Sequence, residues 1–231
     1  WGVGRGAVSE LRSGLDDGEL LELIGDAEKV AIDAPFGWPD DFVEAVTAHR
    51  EHAGWPGNAE DQDIYRFRLS FRLTDRNLIE RGTRRPLSVS TDLIGVVAMR
   101  CAYLLDRLAA RGEPVDRAGS GKVVETYPAP ALSSWGISAV GYKARGASEG
   151  RLPQLLERLE GELGGLDLPE QQRRFATTDH NCFDALVASL VARAAGLGLT
   201  EPPEPGEQAD RAVREGWIHL PTNPLPHLLE A

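Results

Sequence analysis

Three acidic residues stand where packing alone would not place a carboxylate. Asp33 and Glu125 each end a short β-branched segment that a proline-containing stretch follows, and Asp184 lies in an otherwise apolar helical stretch. Taken alone, Asp184 fits pairing with a cation, because a buried carboxylate needs a cation, hydrogen-bond donors or a metal ion. Together, the three acids favour a site for Mg²⁺ or Mn²⁺, which take carboxylates from separate elements and keep positions for water and phosphate. They predict catalytic metal ligands for two-metal hydrolysis of a phosphodiester.

The elements that must position these acids follow from local patterns. Residues 29–32 and 122–126 read as strands, and each delivers its acid just before prolines that forbid further regular structure. Ligand sites in open α/β sheets lie at the carboxyl ends of strands, so both acids should face the site. Apolar periodicity and capping residues predict helices over 15–24, 40–53, 90–111, 151–163 and 179–195. We therefore expect one α/β domain over residues 1–231, with a proline-rich tail from about residue 201.

The sequence resembles the domain-of-unknown-function 429 family, whose members are described as predicted nucleases of the ribonuclease-H-like fold. The matching segments run in order along nearly the whole chain: IDAPFGWP at 32–39, FRLTDR at 71–76, VETYPA at 124–129, GYK at 141–143, DHNCFDAL at 179–186 and GWIHLP at 216–221. The resemblance implies a mixed sheet flanked by helices. It places Asp33 at the end of the central strand and Asp184 on the final helix, with Glu125 as the third acid.

Four further residues are candidates for the rim of this site. Arg72 and Asp75 form an ordinary helix start, with Thr74 as its N-cap, or they bind substrate, with the Arg72 guanidinium facing the acidic centre and a substrate phosphate. Lys143 is either a solvated loop lysine or a phosphate contact, and the resemblance favours the contact. His180 lies one helical turn from Asp184, so it is either a proton carrier or a neutral residue at the helix start.

Composition limits the partners and the compartment. The formal net charge of −11 argues against non-specific coating of nucleic acid, although a nuclease needs only a local basic rim. We expect a nucleic acid or another phosphodiester as substrate. No apolar run reaches the roughly 18 residues of a membrane span, and no export signal is recognisable, which predicts a cytoplasmic protein. Cys101 and Cys182 lie in apolar helical patterns and are expected to be buried rather than bound to zinc.

One departure from the wider superfamily bears on function. That superfamily carries a leading aspartate on its first strand, and no matching segment is present here. We expect either that such a segment lies upstream of Trp1 or that the site is incomplete and the fold lacks its first strand in this chain. Two alternatives to a nuclease stay open: a non-catalytic binding or scaffold protein on the same fold, and a phosphotransferase. The stretch Gly119 to Lys122 lacks the spacing of a phosphate-binding loop and precedes a strand rather than a helix.

Overall fold

The computed structural model describes residues 1, 3–83, 85–144, 147 and 150–230. Its chain divides into two compact units, each assembled from separate stretches of sequence. Unit 1 comprises residues 1–33, 126–201 and 219–231, and unit 2 comprises residues 34–125 and 202–218. Asp33 and Asp184 therefore belong to unit 1, and Glu125 belongs to unit 2.

Unit 1 is organised around one long apolar helix. Its elements are β1 (Gly6–Ala7), α1 (Asp17–Asp26), β2 (Val30–Ile32), α6 (Pro128–Ser134), α7 (Arg151–Leu163), β4 (Leu166–Asp167), α8 (Glu170–Thr178), α9 (His180–Gly196) and a 3-10 helix (Leu225–Leu229). Strands β1 and β4 pair in parallel, with Gly6 opposite Leu166. Helix α9 packs against β2, α6, α7, α8 and the 3-10 helix. It is buried on most of its surface, which explains its nearly continuous apolar sequence.

Unit 2 is mainly helical. Its elements are α2 (Asp40–Arg50), α3 (Gln62–Ser70), α4 (Leu73–Glu80), α5 (Gly95–Ala110), β3 (Val123–Glu125) and α10 (Glu207–Glu215). Helix α2 packs against α3 and α10, and α10 also packs against α4. Glu125 at the end of β3 forms a parallel bridge with Ile218, so the segment after α10 returns alongside this strand.

Local signals explain where several elements begin and end. Asp16 caps α1 in a reciprocal capping box, because its carboxylate accepts the Glu19 N–H at 2.9 Å while the Glu19 carboxylate accepts the Asp16 N–H at 2.9 Å. Asp179 caps α9 by accepting the N–H of Asn181 at 2.8 Å. Gly164 ends α7 with a φ of +77°, a conformation that glycine adopts without strain.

The predicted α/β class is confirmed at this level: the described residues form ten α-helices with short strands of two or three residues. The five predicted helices are present, and α7 has the predicted limits. Helices α3, α6, α8 and α10 were not predicted. Helix α6 was missed because its prolines indicated a break in regular structure. Proline is tolerated in the first turn of a helix, where one of these prolines lies. Helix α10 lies in the tail that the sequence analysis described as proline-rich.

The start of α4 differs from the predicted one. The helix begins at Leu73 after Arg72, and the Asp75 carboxylate accepts the Arg72 N–H at 3.1 Å. Thr74 is therefore inside the helix instead of capping it. Its hydroxyl accepts the N–H of Ile218 at 3.0 Å, which ties α4 to the segment that follows α10.

Candidate functional site

The candidate site in unit 1 centres on Asp184. Asp184 lies on helix α9 and only 5% of the residue is exposed, although its neighbours in the helix are apolar. The Tyr142 hydroxyl donates to Asp184 Oδ1 at 2.7 Å, and Lys143 Nζ lies 2.7 Å from Asp184 Oδ2. Both carboxylate oxygens thus have a partner from the short loop 141–143. The expectation that something must stabilise a buried aspartate here is met by a phenol and an ammonium group.

Tyr142 packs between the helix that carries Asp184 and the side chain of Lys143. Its ring is buried and contacts the Phe183 ring edge-on, with the centroids 5.8 Å apart, while Lys143 Nζ lies 5.4 Å from the Tyr142 centroid. Gly141, with a φ of +78°, makes the turn that directs the two side chains to α9. Tyr142 is a site residue that we did not predict, although GYK was one of the matching segments.

Asp33 directly follows the last residue of β2, as predicted for an acid at the end of this strand, and it is exposed. The adjoining strand residue Ile32 accepts the Thr126 N–H through its carbonyl at 3.0 Å. Burial raises the pKa of Tyr142, and the negative charges of Asp184 and then Asp33 raise it further. The phenol therefore stays protonated at neutral pH and acts as a hydrogen-bond donor, and both aspartates are close enough to influence it.

His180 is the first residue of α9 and is half-buried. It lies four positions before Asp184, but its imidazole makes no hydrogen bond within the part of the chain that the structure describes. Its role as a proton carrier stays a prediction.

Glu125 has a different environment from the other two predicted ligands. It is 2% exposed, and its oxygens accept hydrogen bonds from Arg72 at 2.7 and 2.8 Å and from the Phe36 N–H at 2.9 Å. Arg72 also donates to both oxygens of Asp75, at 2.9 and 3.0 Å. We call Arg72, Asp75 and Glu125 the buried triad. Burial alone would lower the pKa of Arg72, but Asp75 and Glu125 outweigh it and raise that pKa above the ordinary value.

The surroundings of the buried triad are closed. Arg72 and Asp75 are each 2% exposed, and Arg72 also donates to the Glu215 carbonyl at 3.1 Å. Gly216, with a φ of +90°, lies so close that a Cβ atom there would be 2.6 Å from Glu125 Oε2. The interpretation of Arg72 and Asp75 as substrate-binding residues does not fit this burial, because a substrate phosphate cannot reach the guanidinium. Both residues have a structural role instead.

A divalent ion such as Mg²⁺ needs oxygen ligands, which in proteins come mainly from carboxylates. Across the described residues, no three histidine, cysteine, aspartate or glutamate side chains form a group that could hold a metal ion. Glu125 is neutralised by Arg72 and is not available as a ligand. Mg²⁺ commonly binds through one or two carboxylates and keeps several waters, so a single ion needs fewer protein ligands than the three acids predicted from the sequence.

Both cysteines are buried, as predicted, and they do not form a disulfide with each other. No helix among the described residues is long and apolar enough to cross a membrane.

The model of the family described as "Protein of unknown function (DUF429)" matches residues 7–208. No curated protein matches the chain, and no solved structure matches it. The match contains every predicted site residue and leaves the reaction to be inferred from the geometry.

Proposed function

The chain belongs to the DUF429 family, and from this premise and the geometry of unit 1 we propose that it is a metal-dependent phosphodiesterase or nuclease. The observation that carries the proposal is the environment of Asp184. A carboxylate buried in an apolar helix costs stability. The Asp184 carboxylate accepts a hydrogen bond from the protonated Tyr142 hydroxyl and pairs with Lys143, which solvent reaches. Structural ion pairs do not need an accessible side, whereas substrate sites do.

The ribonuclease-H-like fold is part of this proposal. It is supported by the resemblance of the sequence segments and by two features of unit 1: Asp33 directly follows β2, and α9, which packs against β2, carries Asp184. In this interpretation Asp33 and Asp184 hold one Mg²⁺ or Mn²⁺ ion. A bound ion of this kind activates water and stabilises the leaving oxygen.

The residues of the chain supply the remaining functions. Tyr142 keeps the Asp184 carboxylate in one orientation, because the hydroxyl donates to Oδ1 and the ring is packed against Phe183. Lys143 has a side chain that is 38% exposed, so its ammonium group can leave Asp184 and contact a phosphate oxygen of the substrate. The loop 141–143 therefore provides both orientation and positive charge.

The test is Mn²⁺ binding by calorimetry together with hydrolysis of labelled single-stranded DNA, single-stranded RNA and a small aryl phosphodiester. Parent protein is compared with Asp184→Asn, Asp33→Asn and the control Asp26→Asn. Asp26 is an exposed aspartate at the end of α1 in the same unit. We expect each site variant to lose more than about tenfold in Mn²⁺ affinity and to lose hydrolysis, while the control keeps both. Unchanged Mn²⁺ affinity in Asp184→Asn would overturn the proposal.

A second candidate function is a non-catalytic binding protein on the same fold. It is favoured by one observation: Lys143 already compensates the charge of Asp184 without a metal ion. This candidate predicts that the parent does not bind Mn²⁺ and does not hydrolyse any of the three substrates, so the same experiment decides between the two.

A further inference from the structure

Arg76 on α4 is a half-buried arginine whose charge has no close counter-ion. Its guanidinium has neither a hydrogen bond nor an ion pair to any residue that the structure describes. Its Nε is completely buried and unpartnered, whereas its two terminal nitrogens reach solvent. The buried Nε costs stability, whereas the two terminal nitrogens are accessible to a ligand from solvent.

Arg68 and Arg211, the two arginines whose charges act on Arg76, are both paired. Arg68 donates to both oxygens of Glu60, at 2.6 and 2.9 Å, and to Asp41 at 3.2 Å. Arg211 donates to the second Asp41 oxygen at 3.0 Å and to Glu215. Arg76 lies within electrostatic range of these groups but bonds to none of them.

The carboxylates near Arg76 are already occupied. Glu215 Oε1 accepts the Asp40 N–H at 2.8 Å and Glu215 Oε2 accepts the Leu73 N–H at 2.7 Å, in addition to the bonds from Arg211. Asp41 uses both oxygens on Arg68 and Arg211. Burial lowers the pKa of Arg76, and the positive charge of Arg211 lowers it further. No carboxylate among the described residues bonds to Arg76, so its terminal nitrogens are open to an anion from solvent.

We propose that Arg76 is the anchor of a phosphate-binding site in unit 2, with its solvent-facing fork binding a phosphate group. A planar guanidinium matches two phosphate oxygens through parallel N–H bonds, and partial burial of the stem fixes the direction of the fork. Arg68 and Arg211 add positive charge nearby, balanced by Asp41, Glu60 and Glu215. The segment FRLTDR thus contains two arginines with different roles: Arg72 is enclosed in the buried triad, and Arg76 is available to a ligand.

The site is independent of the proposed hydrolysis, because it lies in unit 2 and is tested by binding alone. Inorganic phosphate is titrated by calorimetry against chloride at equal ionic strength, using the parent, Arg76→Gln, Arg76→Lys and the control Arg107→Gln. Arg107 is an exposed arginine of α5, and it forms no ion pair with a carboxylate in the described part of the chain. We expect Arg76→Gln to weaken phosphate binding by at least about tenfold, Arg76→Lys to recover part of it, and the control to stay within about twofold of the parent.

Two further arms identify the source of the phosphate. Binding of a short deoxythymidine oligonucleotide is measured by fluorescence anisotropy at several salt concentrations. A backbone phosphate as ligand predicts that Arg76→Gln reduces the salt slope by about one, whereas a small phosphate compound predicts an unchanged oligonucleotide affinity beside weakened binding of inorganic phosphate. Absence of phosphate binding in the parent would overturn the proposal. Equal affinities of parent and Arg76→Gln, or equal weakening in Arg107→Gln, would also overturn it.

Discussion

The two units each contain a buried carboxylate paired with a cation, but the cations differ in their exposure to solvent. In unit 2, Glu125 is enclosed with Arg72 and Asp75, and the three side chains are 2 to 3% exposed. In unit 1, Asp184 is 7% exposed as a side chain, but its partner Lys143 is 38% exposed. In the Glu125–Arg72 pair both partners are shielded from solvent. In the Asp184–Lys143 pair the lysine is accessible to solvent.

This difference separates a structural carboxylate from a candidate functional one. A fully buried ion pair is expensive to break, because removing one partner leaves an uncompensated charge. A pair with one exposed partner contributes little, because water and salt screen it. An acid that ends a strand before a proline-containing segment can belong to either kind, and Asp33 and Glu125 share that pattern although only Asp33 is exposed.

The largest effect is expected from Arg72→Met in the buried triad. Glu125 and Asp75 would then be buried without a cation, and the free energy of unfolding should fall by about 3–5 kcal/mol. Urea denaturation measures this loss. The control is Arg66→Met, whose ion pair with Asp63 is solvent-exposed and should contribute less than about 1 kcal/mol. A loss for Arg72→Met as small as that of the control would mean that the triad is hydrated.

A smaller effect is expected from Tyr142→Phe. This change removes the hydroxyl that donates to Asp184 and leaves the aromatic packing against Phe183 in place. Hydrogen bonds to charged groups contribute about 1.5–3 kcal/mol, so unfolding by urea should detect a loss in that range. Tyr103→Phe serves as the control, because Tyr103 is an exposed tyrosine of α5. If the two variants are equally stable, the Tyr142 hydroxyl does not hold Asp184.

The smallest effect is expected from Lys143→Met. Because this lysine is more than a third exposed, its removal should cost less than about 1 kcal/mol, and the difference from the parent should shrink as salt is added. Denaturation at low and high salt checks both points. A loss comparable to that of Arg72→Met, insensitive to salt, would show that the unit 1 pair is as enclosed as the buried triad and would remove the contrast between the units.

Much of the local structure could be predicted because its signals are local. The leucine periodicity of α7 and the apolar run of α9 each identify a helix, and the β-branched segments before Asp33 and Glu125 identify β2 and β3. Helix α10 was missed because prolines dominate the tail around it. Its residue Glu215 was missed with it, although Arg211 stands four positions earlier, a spacing typical of helical ion pairs.

The sequence by itself determined that Asp184 sits in an apolar helix and that Asp33 and Glu125 end short strands, because residue types and spacing within a few positions carry that information. Only the tertiary structure decided what each acid contacts. Arg72 and Glu125 are 53 positions apart, and Tyr142 and Asp184 are 42 apart. Pairings over such separations depend on how packed elements bring distant side chains together. For that reason two acids with the same local pattern became a shielded structural group and an exposed candidate ligand.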